Sequence, residues 1–130
     1  MGGTIGFADD PARICLKPNW VYRRFLTDVM NQHPDDPPFL KRVEEAIIFQ
    51  NLSVDEVWAR DAELGEKILH AMRDVARATL GEMELPNLKW REGLGEEWQD
   101  AYQGAIKDIL DLINRELDSS EPWGQRGGQI

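Results

Sequence analysis

Four residues that can bind a metal ion or transfer a proton recur at helical spacing in the middle of the chain. Glu63, Glu66, His70 and Asp74 follow one another at intervals of three, four and four, which places them along one face of a helix. Carboxylate and imidazole groups bind divalent cations, but one helical stripe needs further carboxylates from a facing helix to enclose an ion. A solvated helix face with Glu–Lys and His–Asp pairs has the same pattern.

A second acidic pair, Glu97 and Asp100, repeats the three-residue spacing of Glu63 and Glu66. Two such pairs on facing helices are similar to the paired carboxylates of all-helical nucleotide pyrophosphatases. The resemblance implies a metal-dependent nucleotide hydrolase with these four residues as ligands. The two pairs are further apart in the sequence than the corresponding pairs of that family, and the rest of the family's sequence pattern is missing. We keep the hydrolase as the alternative, and expect no bound metal because basic residues alternate with the acidic stripe.

A second acidic surface is predicted on the last helix, where acids recur at close to whole numbers of turns. Its members are Glu96, Glu97, Asp100, Asp108 and Asp111, with Asp118 beyond them. They lie opposite an apolar face through Trp98, Ile109 and Ile113. Acids at the start of a helix favour its dipole, but Asp108 and Asp111 approach the end, where Lys or Arg is preferred. This placement favours a binding role for these acids over a stabilising one.

The charge of the chain limits the classes of partner. It holds 15 basic and 24 acidic residues, for a net charge of −9. Residues 82–118 alone carry four basic and ten acidic residues, a net −6. An acidic surface repels phosphate backbones, so we expect no nucleic-acid partner. We expect no membrane partner and a cytoplasmic location, because the longest apolar run, residues 46–49, is short and the N-terminus lacks signal-peptide features.

Nucleophile and cofactor motifs are missing from the sequence. Cys15 is the only cysteine and lies between Ile14 and Leu16, which favours a small buried hydrophobe over a reactive thiol. The glycines of residues 2–6 lack the lysine and hydroxyl residue of a phosphate loop. We therefore expect neither catalytic nor cofactor-binding residues, and we expect that the protein is not an enzyme.

Helical periodicity and capping signals predict four or five helices. They span residues 19–32, 37–50, 54–80 with a break near Asp61 or Gly65, and 96–117. Residues 53–56 form a capping box, with Leu52 and Val57 as its hydrophobic staple. The second helix is apolar over more than half of its circumference, which predicts a central position. Residues 1–18 are predicted to be irregular, with short extended pieces at Thr4–Phe7 and Arg13–Leu16 as the alternative.

These elements predict a single all-α domain, a bundle of four or five helices over residues 1–118, followed by a flexible tail at 119–130. The predicted function is an acidic protein–protein binding module, an inhibitor or immunity-type protein that blocks a basic partner such as a nuclease toxin. Its carboxylates would occupy the cationic cleft that the partner uses for its substrate. The residues leave the oligomeric state open.

Overall fold

The computed structural model describes residues 2–7, 13–83 and 96–117, and of residues 82, 83 and 96–98 it describes the backbone alone. In chain order the elements are β1 (Gly2–Gly6), β2 (Ile14–Pro18), α1 (Asn19–Met30), α2 (Pro37–Phe49), β3 (Asn51–Ser53), α3 (Val54–Arg60), α4 (Ala62–Met83) and α5 (Glu96–Leu117). The predicted helical majority is confirmed. The all-α class is wrong, because three strands form a sheet. The predicted tail lies outside the described residues.

The sheet is built around the N-terminal strand. Its order is β2-β1-β3, with β1 antiparallel to β2 and parallel to β3. Ile5 is aligned with Cys15 on one side and with Leu52 on the other. Ile5 and Leu52 are buried in the core. The prediction of an irregular N-terminal segment is therefore wrong for β1 and β2, which overlap the extended pieces offered as its alternative.

A glycine of β1 is required by the packing of α1 on the sheet. A Cβ atom at Gly3 would fall 2.0–2.3 Å from three ring atoms of Tyr22, closer than any real contact. Tyr22 is fully buried, and its hydroxyl donates a hydrogen bond of 2.6 Å to the carbonyl oxygen of Ala46 in α2. Tyr22, which belongs to α1, therefore contacts both β1 and α2.

The core lies between the inner face of the sheet and the helices α1, α4 and α5, which pack on one another. Fully buried members include Phe25, Leu26, Ile68, Met72, Ile106 and Ile113. In α2 only Phe39, Val43 and Ala46 are buried, whereas Ile48 and Phe49 are 64% and 74% exposed. The predicted central position of α2 is therefore wrong, and this helix lies at the periphery.

Several helix boundaries follow the predicted signals. Asp36 caps α2 by accepting a hydrogen bond of 3.3 Å from the Phe39 amide. The helix ends at Phe49 and is followed by Gln50, which adopts a left-handed conformation with φ of 57°. The predicted break falls at Asp61, whose carboxylate accepts a hydrogen bond of 3.1 Å from the amide of Leu64 in α4.

Other local signals act differently from the prediction. The helix α3 begins after Ser53 as predicted, but the Ser53 side chain makes no capping hydrogen bond and accepts one of 3.2 Å from Asn51 Nδ2. Gly65 lies inside α4, where a Cβ atom would come within 2.8 Å of the Trp58 backbone. It therefore allows α3 and α4 to approach closely. The helix also continues through Gly81 to Met83.

Candidate functional site: an acidic helix beside an edge strand

The predicted acidic face lies on α5, and three of its members have described side chains. Asp100, Asp108 and Asp111 are all exposed. Asp100 and Asp111 are eleven residues apart, about three helical turns, so they lie on the same side of the helix. Neither forms an ion pair with a described residue. The side chains of the predicted residues Glu96 and Glu97, and all of Asp118, lie outside the described residues.

Asp108 has a partner that the sequence did not indicate. Its Oδ2 accepts a hydrogen bond of 2.7 Å from Nζ of Lys17 in β2. The Asp108 side chain is still 64% exposed, so the ion pair neutralises it only in part. The two residues are 91 positions apart, and no local pattern links them.

A second ion pair joins the same two elements at their other end. Arg13, directly before β2, donates from Nε to Glu116 Oε2 at 2.9 Å and from Nη2 to Glu116 Oε1. Glu116 is buried, and sequence reasoning missed it. A signal was present, because Glu116 follows Ile109 by seven positions and Ile113 by three, which places it on the apolar face of α5. An acid at such a position usually requires a partner.

The two ion pairs align β2 with α5. From Arg13 to Lys17 the chain rises about 13 Å in extended conformation, and from Glu116 to Asp108 the helix rises about 12 Å. The strand and the helix therefore run antiparallel over the same length. Between them lies an open groove of about 590 Å³. We call it the edge groove, lined by Ile14, Cys15 and Lys17 on one wall and by Asp108, Asp111, Leu112, Asn114 and Arg115 on the other.

The free edge of β2 borders this groove. The amide of Phe7 donates to the Arg13 carbonyl at 3.0 Å, so in the antiparallel register Arg13, Cys15 and Lys17 direct their backbone groups toward β1. Ile14 and Leu16 direct theirs to the opposite side, where no strand of the described residues lies. Their side chains are 39% and 68% exposed. Apolar side chains thus occur on the same edge as backbone groups that pair with no strand of the described residues.

The thiol of Cys15 does not have the character of a nucleophile. Burial raises the pKa of this thiol above its usual range, and Asp108 adds to the rise while Lys17 opposes it. The thiol is therefore protonated near neutral pH. Its place in the groove wall agrees with the interpretation of Cys15 as a small hydrophobe.

The stripe proposed for the alternative metal site lies on α4. Its histidine is held by neighbours on the same helix, with Glu66 Oε1 at 3.8 Å from His70 Nε2 and Arg73 Nη2 at 3.1 Å from His70 Nδ1. Within the described ranges no group of three His, Cys, Asp or Glu residues is arranged to hold a metal ion. The side chain of Glu97, one of the four predicted ligands, lies outside those ranges, so the facing pair is described only through Asp100.

Comparisons with protein-family models, with curated protein sequences and with solved structures gave no match to this chain. None of the helices in the described parts of the chain has the length and apolarity needed to cross a bilayer. Function is therefore inferred from the charge and geometry of the surface around α5.

Proposed function

We propose that this protein is an acidic binding module that blocks a basic protein partner, such as a nuclease, through the exposed acids of α5. The observation that carries the proposal is the exposure of Asp100 and Asp111 on one side of α5, without an ion pair to any described residue. Asp108 adds a third carboxylate that Lys17 only partly screens. The helical spacing of the sequence predicts that Glu96 and Glu97, in the first turn of α5, extend this face.

The mode of inhibition follows from the chemistry of a nuclease cleft. Such a cleft binds phosphates through Lys and Arg side chains, and carboxylates offer the same donors anionic oxygens. The helix α5 is already ordered by packing on α4 and by the ion pair between Glu116 and Arg13, so binding requires little further ordering. The net charge of −9 attracts a basic partner at long range and raises the rate of encounter.

The proposal also covers the mode of action and the cellular location. The module acts by occupying its partner, without a metal, a cofactor or catalytic residues of its own. We place it in the cytoplasm, because the chain has a single cysteine, half-buried and free, and disulfides are rare in that compartment.

The test measures association with, and inhibition of, a panel of purified basic nuclease domains. We expect wild-type protein to inhibit at least one of them, with an association rate that falls as salt is raised. The double variant Asp100→Asn, Asp111→Asn should lower that rate about tenfold with an unchanged melting temperature.

A matched control removes the same charge elsewhere. Glu44 in α2 and Asp74 in α4 are exposed, and the double variant Glu44→Gln, Asp74→Asn should slow association far less. Inhibition of none of the nucleases contradicts the proposal. An equal loss in both double variants also contradicts it, because net charge alone would then explain the binding.

A further inference from the structure

We infer that the edge groove receives an extended basic segment of the partner, which pairs with β2 as a fourth strand of the sheet. This inference rests on the proposed function, since it specifies which part of a basic partner lies against α5. Three features of the groove carry it: the backbone of β2, the apolar side chains on its edge, and the acids on the facing wall.

The backbone of β2 offers an edge that no strand of the described residues pairs with. Ile14 and Leu16 each direct an N–H and a C=O away from β1, so an added strand gains up to four main-chain hydrogen bonds. Pro18 lacks an N–H and limits the pairing at the end of the strand. Exposed edges of this kind are templates for strand addition.

The side chains around the edge specify an alternating sequence in the added strand. Side chains on one face of that strand would lie beside Ile14 and Leu16, whose exposure favours apolar neighbours. Side chains on its other face would point toward α5, where Asp111 has no ion pair within the described residues and Asp108 is largely exposed. Apolar residues that alternate with Lys or Arg satisfy both faces.

The charged residues that line the groove also determine where basic residues of the partner would lie along it. Arg115 adjoins Glu116, which binds Arg13, so its positive charge lies at the end of the groove where β2 begins. Asp111 and Asp108 lie further toward the other end, where Asp108 meets Lys17. Lys17 is itself a cation at that end, so a cationic side chain of the partner is favoured in the middle of the groove, beside Asp111.

A second copy of this chain fits the groove poorly. Pairing of two β2 edges would bring the α5 helices of both copies toward each other, with Asp108 and Asp111 on each. Both copies also carry a net charge of −9, so like charges oppose the approach. A basic segment of another protein meets no such opposition.

The test uses two capped, fluorophore-labelled heptapeptides of equal composition with the full-length protein. The first, Thr-Val-Lys-Val-Lys-Val-Thr, places both lysines on one face of a strand. The second, Thr-Lys-Lys-Val-Val-Val-Thr, does not. Because only the alternating peptide can place valines beside Ile14 and Leu16 and both lysines toward α5, we expect it to bind about tenfold more tightly in an anisotropy titration.

Two substitutions at one position separate the backbone from the side chain. Leu16→Pro removes the outward N–H and should weaken the alternating peptide about tenfold, whereas Leu16→Thr keeps that N–H and should weaken it about threefold. Asp111→Asn should also weaken the peptide about threefold, while Asp100→Asn should not, because Asp100 does not line the groove.

A readout on wild-type protein keeps the inference testable if Leu16→Pro does not fold. The amides of Ile14 and Leu16 should exchange with solvent more slowly once the alternating peptide is added. Unchanged exchange of these amides overturns strand addition, and equal binding of the two peptides overturns the alternating basic sequence inferred for the added strand. If these amides become more protected as the protein concentration is raised without any peptide, a second copy of the chain occupies the edge. That result overturns the inference that a basic segment of another protein binds there.

The outcomes distinguish this inference from the proposed function. If nuclease inhibition depends on Asp100 and Asp111 but neither peptide protects the edge, the acidic face stands and strand addition is wrong. If the alternating peptide binds at β2 but no nuclease is inhibited, strand addition stands and the inhibitor function is wrong.

Discussion

The ion pair between Arg13 and Glu116 should contribute more to stability than the exposed pair that joins the same two elements. The Glu116 side chain is 7% exposed and that of Arg13 is 27% exposed, and two N–H donors of the guanidinium reach the two carboxylate oxygens. A fully buried pair costs about 3–5 kcal/mol when one partner is removed. Because Arg13 retains contact with water, we expect Glu116→Gln to cost about 2 kcal/mol and the coupling in a double-mutant cycle with Arg13→Met to be about 1–2 kcal/mol.

The cycle is measured by urea unfolding at neutral pH, with the free energy of each variant taken from its midpoint and slope. The control is a second cycle of Lys17→Met and Asp108→Asn, which tests the other β2–α5 pair. The Asp108 side chain is 64% exposed, so its coupling should stay below about 1 kcal/mol. Equal couplings in the two cycles would refute the reasoning, because burial would then not decide the strength of these pairs.

The remaining expectations concern α4 and α5. Gly65→Ala should destabilise the protein by about 1–2 kcal/mol, because the added methyl meets the Trp58 backbone, and the urea midpoint measures the loss. Gly104→Ala in α5 meets no atom within 4 Å and should stabilise by up to about 1 kcal/mol, so a loss there contradicts the reasoning. The hydrogen bond from Lys67 lowers the pKa of Asp36 below its ordinary value of 3.8. Its stabilising effect is therefore present above that pH and lost as pH falls through the lowered value, and the stability gap between wild type and Lys67→Met should shrink in acid melts.

Helix positions could be predicted because their signals are local. The apolar period of residues 96–117 matches α5, and the Asp36-Pro37 signal marks the start of α2. Two of the strands could be predicted only as short extended pieces, and neither their pairing nor β3 could be predicted in the same way. β1 is rich in glycine and pairs with Asn51–Ser53, a three-residue strand between two helices. Only tertiary contacts give such short segments a strand conformation.

Only the part of the candidate site that lies on one helix could be predicted, because only that part depends on local sequence. Helical spacing identified Asp100 and Asp111 as outward residues, because exposure on a helix follows from its period. The partner of Asp108 and the edge groove depend on where β2 lies, so no pattern within α5 reveals them. The capping box predicted the position of a helix start but not the hydrogen bond of the Ser53 side chain. It marks the start of α3, but the Ser53 hydroxyl binds Asn51 in the preceding strand.

The central position of β1 has a consequence for the kinetics of folding. The hairpin of β1 with β2 and the packing of α1 on α2 join segments that are close in the chain, and such contacts form quickly. The pairing of Thr4 with Asn51 must instead close a long loop that contains β2, α1 and α2, and this closure costs entropy before the new contacts repay it. We therefore expect β3 to join the sheet after α1 and α2 have packed. Truncation of the buried Leu52 side chain should accordingly speed unfolding while it leaves the refolding rate nearly unchanged.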